Sequence, residues 1–131
     1  MSQLKVFLSH SHKDSYTAKR LFDELEGAGT DVFLPIVEEN EAEATPFEDT
    51  IEAIKTSEAI IVLITPASVN SPWLMFEIGA AWSLGKRIIP IVSGMSIEDA
   101  LQSDLPSFIK LTGLRTIDEL STIIADEIVL N

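Results

Sequence analysis

The chain has 131 residues, enough to bury one core but short for two, and its 46% apolar content excludes a disordered sequence. A formal net charge of −12 opposes binding to nucleic acid or to anionic membranes. With no cysteine there are no disulfides, thiol nucleophiles or thiolate zinc sites. The longest apolar runs, such as Ala59–Ile64 and Ile88–Val92, are far shorter than the roughly 20 residues of a membrane helix. Met1 to Lys5 lead directly into a strand-like segment and leave no room for a signal peptide, so one cytoplasmic domain over residues 1–131 is expected. A small phosphorylated ligand is still compatible with the charge, because backbone amides and helix N-termini hold phosphate locally.

Along the chain the apolar period switches repeatedly between two and 3.6. Leu4 to Leu8 reads as a first strand. Asp14 is placed to cap a helix with Ala18, Leu21, Phe22 and Leu25 on one face, closed by Gly27 and Gly29. Asp31 to Leu34 is a second strand, with Phe33 as a core residue. An acidic loop follows, containing Glu38, Glu39, Glu41 and Glu43. Thr45-Pro46-Phe47-Glu48 reads as a capping box with proline in the first helical position, and Ile51 and Ile54 continue the apolar face. Phe47 is most simply the first core contact of that helix.

Ala59–Ile64 is a central strand buried on both faces. Ser71-Pro72 opens a helix to about Leu84, ended by Gly85. Ile88–Val92 is a fourth strand despite Pro90. Ser96 to Asp99 caps a short helix, Ile109 to Leu111 is a fifth strand, and Thr116 to Glu119 is another capping box. The last helix presents Ile117, Leu120, Ile124 and Ile128 on one side. Strands alternating with helices predict a flavodoxin-like α/β fold: a five-stranded parallel sheet of order 2-1-3-4-5 with helices on both faces.

Such sheets bind ligands beyond the carboxyl ends of their strands, where the segments from Ser9 to His12, 35–45 and 65–73 converge. Glu77 is the one charged residue between Ser71 and Gly85, in a helix otherwise built from Trp, Leu, Met, Phe, Ile, Gly, Ala and Ser. Trp73 lies one turn earlier and can wall its carboxylate. A carboxylate among apolar neighbours must be paired, protonated or turned to a ligand. Glu77 therefore either pairs structurally, with backbone or with Lys86 or Arg87, or works on a ligand. His10 and His12 lack a third ligand, so no metal is expected. No nucleophile elbow, Walker loop or dinucleotide fingerprint occurs. A phosphate-receiver domain would need an aspartate where Thr65-Pro66 stands.

Four of these segments resemble the Toll/interleukin receptor (TIR) domain family. Val6 to Asp14 is similar to its first signature, and Ser57 to Pro66 to its third strand. Ser71-Pro72-Trp73-Leu74-Met75-Phe76-Glu77 matches the Ser-x-Trp-x-x-x-Glu element of its catalytic members, and Gly85 to Val92, with Pro90, resembles its fourth strand. The resemblance implies the flavodoxin-like sheet and one of two activities. The first is cleavage of the nicotinamide–ribose bond of NAD⁺, giving ADP-ribose or a cyclic product, with NAD⁺ as substrate and no cofactor. The second is a noncatalytic adaptor acting through contacts with other TIR domains, as a homo-oligomer or with partners. For the enzyme the resemblance implies Glu77 as the catalytic residue. Ser9, His10 and Ser11 would touch the nucleotide, and Glu43, Phe47 and Trp73 would line the site. The aromatic pair that many animal signalling members carry near the last helix is absent, which is the bacterial pattern.

Overall fold

The structure is a computed structural model that describes residues 4–37 and 44–128. Its five strands are β1 (Lys5–Ser9), β2 (Asp31–Phe33), β3 (Ala59–Ile64), β4 (Arg87–Val92) and β5 (Arg115–Thr116). All pairs are parallel and the order is β2-β1-β3-β4-β5. The helices are α1 (Ser15–Gly27), α2 (Phe47–Thr56), α3 (Pro72–Ser83), α4 (Ile97–Leu101), α5 (Ser107–Lys110) and α6 (Leu120–Ile123). Among the described residues no helix is long and apolar enough to cross a membrane.

Strand alternation sorts β3 between two core layers, since successive side chains leave opposite faces of a sheet. Ile60, Val62 and Ile64 pack with Ile54 of α2 and with Leu74, Ile78 and Ala81 of α3. Ala59, Ile61 and Leu63 pack with Ala18, Leu21 and Leu25 of α1 and with Leu120 and Ile123 of α6. All six β3 residues are fully buried, as a central parallel strand requires. Pro90 is tolerated because β5 reaches only Ile91 and Val92, so at Pro90 the strand has a paired neighbour on the β3 side alone.

Two glycines turn helices back into strands. After α1, Gly29 N–H bonds the Glu26 carbonyl and Thr30 N–H the Leu25 carbonyl. After α3, Gly85 N–H bonds Trp82 and Lys86 N–H bonds Ala81. Each pair closes the helix end with glycine at positive φ, 90° at Gly29 and 70° at Gly85. On edge strand β2 the Glu26 carboxylate accepts the Val32 N–H at 2.8 Å, covering a donor that would otherwise invite another strand.

Several local expectations are corrected. Ile109–Leu111 is not a strand: α5 occupies Ser107–Lys110, begun at Pro106, with Ile109 turned into the core. The fifth strand is the two residues Arg115–Thr116, too short to show alternation. Asp14 does stand at the N-cap position of α1 but caps nothing, because its Oδ2 accepts the Thr65 hydroxyl at 2.6 Å. Thr45 is no cap either. Its Oγ1 accepts the Ile36 N–H at 2.7 Å, its N–H donates to the Ile36 carbonyl at 2.9 Å, and Pro46 becomes the N-cap of α2. Phe33 is 37% exposed and stacks on Phe7 at 5.7 Å, as the end of an edge strand allows. Phe47 is 51% exposed rather than a core contact. The last helix is a 3-10 turn Ile117–Glu119, then α6, then a π-helical turn Ile124–Ile128, which brings Ile123 inward as well. Both capping expectations at Ser96 and Thr116 hold.

Gly79 and Gly85 separate two roles of glycine. Neither has a heavy atom within 4 Å of an added Cβ, but only Gly85 has positive φ. Gly79→Ala should raise unfolding free energy by about 0.5–1 kcal/mol, since Gly79 lies inside α3. Gly85→Ala should lower it by about 1–2 kcal/mol. Urea unfolding of both variants checks the opposite signs.

Candidate active site

Strand β1 and helix α3 build the centre of the site. In β1, Phe7 faces the α2–α3 layer while Val6 and Leu8 face α1, so Ser9 follows Phe7 toward α3. There its Oγ donates a 2.7 Å hydrogen bond to Oε1 of Glu77. Helix α3 starts where Ser71 Oγ accepts the Leu74 N–H at 3.2 Å, with Pro72 in the first turn. From that start Leu74, Ile78 and Ala81 point to the core and Glu77 falls among them, fully buried.

Oε2 of Glu77 is buried with no hydrogen-bond partner. The structural ion pair does not form: Lys86 Nζ donates to the Lys55 carbonyl and Arg87 pairs with Glu127. Burial raises the carboxyl from 4.5 to about 8, against weaker downward pulls from the Ser9 hydroxyl and the Trp73 indole. The group is therefore mostly protonated at neutral pH.

A cavity of about 510 Å³ is lined by Ser11, His12, Ile36, Phe47, Thr50, Ser71 and Trp73, among others. Trp73 links it to Glu77, because it lines the cavity and stands one helical turn before the carboxylate. The Trp73 ring is held by Phe47 at 6.2 Å, edge-on, and by Phe76 at 5.3 Å, while Phe47 and Phe76 lie 5.4 Å apart. Asp14 and Thr65 tie the loops leaving β1 and β3 together, the Thr65 hydroxyl donating to Asp14 Oδ2. Thr65 N–H in turn donates to Ser68 Oγ at 2.8 Å.

The expected site residues thus divide. Ser11, Phe47 and Trp73 line the cavity. Ser9 and Glu77 form a fully buried pair that the cavity lining does not include. His10 is 3% exposed with Nδ1 unpartnered, and burial lowers its pKa against the opposing pulls of the Leu8 backbone and Asp14. His12 starts a 3-10 turn, so the extended run that would have aligned the two imidazoles stops before it. Glu43 lies outside the described residues. Among the described residues no group of three or more His, Cys, Asp or Glu could hold a metal ion. Sequence reasoning missed Phe76, although its spacing of three from Trp73 puts both on one helix face. It also missed Thr50, which carries no local signal, and reached Ile36 only as part of the converging segment 35–45.

The family profile described as TIR domain matches residues 6–124. No curated protein sequence matches the chain. The TIR domain of the Toll-related receptor TRR-2 from Hydra magnipapillata superposes with a TM-score of 0.65 at 20% identity, over 90% of this chain and 89% of that one. A metazoan TIR-STING receptor from C. gigas superposes with a TM-score of 0.67 at 22% identity, over 96% of this chain but 41% of the receptor, so this chain spans about two-fifths of that protein. The CMP N-glycosidase BcmB of Clostridium botulinum gives a TM-score of 0.51 at 22% identity, over 86% and 87% of the two chains. At these identities the likeness is one of fold.

The raised Glu77 carboxyl makes stability depend on pH. Its folded value, about 8, lies above the unfolded value, so the folded state holds the extra proton and loses stability as pH rises from about 4.5 to 8. Glu77→Gln keeps the neutral shape and removes this loss. The variant should gain on wild type by up to about 1.4 kcal/mol per pH unit across that window. Denaturant unfolding of both proteins at pH 5, 6.5 and 8 measures the divergence.

Proposed function

The chain belongs to the TIR domain family, and on that premise we propose that it cleaves the nicotinamide–ribose bond of NAD⁺ with Glu77 as the catalytic carboxylate. The observation that carries this reading is the buried Glu77, without an ion pair among the described residues, with Oε2 unpartnered one helical turn from the cavity-lining Trp73. A fully buried carboxylate with an open oxygen is costly as structure and useful as chemistry. A CMP N-glycosidase on the same fold is in keeping with it.

The reaction asks little of the protein. The N-glycosidic bond breaks with its electron pair passing to the nicotinamide nitrogen, which becomes neutral, so no acid is needed to protonate the leaving group. Positive charge develops on the ribose, and a carboxylate in a water-poor pocket stabilises it. Water then adds to the ribose carbon and loses a proton, or an adenine nitrogen adds to give the cyclic product. Phe47 and Trp73 offer aromatic faces to the flat rings, and Ser11 offers a hydroxyl at the cavity wall. Because Glu77 does not line the cavity, the Trp73 indole has to move aside for the carboxylate to meet the ribose. Contact between copies of the chain is the natural trigger for that movement in a TIR domain. Activity in this reading is cytoplasmic and needs no metal or cofactor.

Chromatography of NAD⁺ incubated with concentrated protein tests the proposal. Nicotinamide should appear, at a rate per molecule that rises with protein concentration. Glu77→Gln should stay folded and lose about 10²–10³-fold in rate, the worth of one charge-stabilising group. Wild-type kcat/KM should climb with pH up to about 8, where Glu77 sheds its proton. Absence of nicotinamide at high protein concentration would instead leave the noncatalytic adaptor.

A further inference from the structure

The resemblance implies that Ser9 touches the nucleotide; in the structure its side chain meets Glu77. It is fully buried, does not line the cavity, and spends its hydroxyl hydrogen on Glu77 Oε1 at 2.7 Å. Resting on the NAD⁺-cleaving reading, we propose that Ser9 is a positioning residue: it fixes Oε1 and leaves Oε2 as the oxygen that meets the substrate.

Two observations support the division of labour between the carboxylate oxygens. Ser9 makes a 2.7 Å hydrogen bond to Oε1 of Glu77, the Trp73 indole pulls on the carboxyl more weakly, and Oε2 is the buried atom that has no partner. Ser9 also belongs to β1, whose residues Val6 to Ser9 are paired with β3, so the donor is anchored by the sheet and not by a loop. A rigid donor on a neighbouring element is what holds a long glutamate in one rotamer. The electrostatic side agrees. Ser9 from β1 and, more weakly, Trp73 from α3 itself favour its ionised form. Without Ser9 the ionised carboxylate would lose its strongest donor.

Carbon-13 NMR of the Glu77 carboxyl, assigned by its loss in Glu77→Gln, tests the proposal without reference to turnover. In Ser9→Ala the titration midpoint should move up by about half to one pH unit, the value of one lost hydrogen bond. Ser9→Thr, which keeps the hydroxyl, should return it toward wild type. In the NAD⁺ assay Ser9→Ala should lower kcat about tenfold with KM nearly unchanged, and should push the rising limb of the pH profile to higher pH. An unmoved midpoint in folded Ser9→Ala overturns the proposal. So does a raised KM with kcat intact, which would make Ser9 a direct substrate contact. Wild-type protein that releases no nicotinamide while the midpoint still moves counts against the NAD⁺ reading and for the hold on the carboxylate.

Discussion

A carboxylate sealed inside an apolar helix is the constraint around which this domain is arranged. Glu77 sits among Leu74, Ile78 and Ala81, which are the residues that fasten α3 to the sheet. Burying it unpaired would cost several kcal/mol if it were ionised. Burial favours the protonated carboxyl, and the Ser9 hydroxyl, with a weaker pull from the Trp73 indole, favours the ionised one in place of an ion pair with Lys86 or Arg87. This choice ties α3 to the end of β1 at one register. It also leaves one oxygen open and makes the charge of the group depend on pH.

The parallel sheet supplies the geometry that makes this possible. Every strand of a parallel sheet ends on the same side, so the segments after β1, β2 and β3 meet although the residues that close the site are up to 68 positions apart. Cross-links between those segments are polar and specific. Asp14 accepts from Thr65, joining the β1 and β3 exits. Ile36 and Thr45 bond each other twice, closing the neck of the loop after β2. Phe47 on α2 meets Trp73 and Phe76 on α3, which joins the two helices at the cavity. The aromatic cluster is half-exposed where a core would be closed.

The readable parts of the sequence were those whose signal is local. Ala59–Ile64 announced a strand buried on both faces because six apolar, largely β-branched residues run together. Ser71-Pro72 and Gly85 marked the ends of α3 because a hydroxyl cap and a positive-φ closure are properties of single positions. Glu77 stood out because it broke the composition of its own helix. The same logic failed where two structures share one pattern. Pro106 to Leu111 and Arg115–Thr116 are each too short for periodicity to tell a helical turn from a strand. Asp14 and Thr45 look like helix caps in sequence, but each has a stronger partner in space.

What the sequence determined by itself, then, was the alternation of strands and helices, the order of the sheet that such alternation enforces, the family, and the anomaly of Glu77. The tertiary structure alone decided how that anomaly is resolved. It chose Ser9 over Lys86 and Arg87 as the partner, left Oε2 open, and put Phe47 and Phe76 around Trp73. The reason is physical. Periodicity and capping arise from interactions within about one helical turn or a few strand residues, so they are written in neighbouring letters. A hydrogen bond across 68 residues and the burial that raises a carboxyl's pKa exist only once the sheet has brought distant segments into contact.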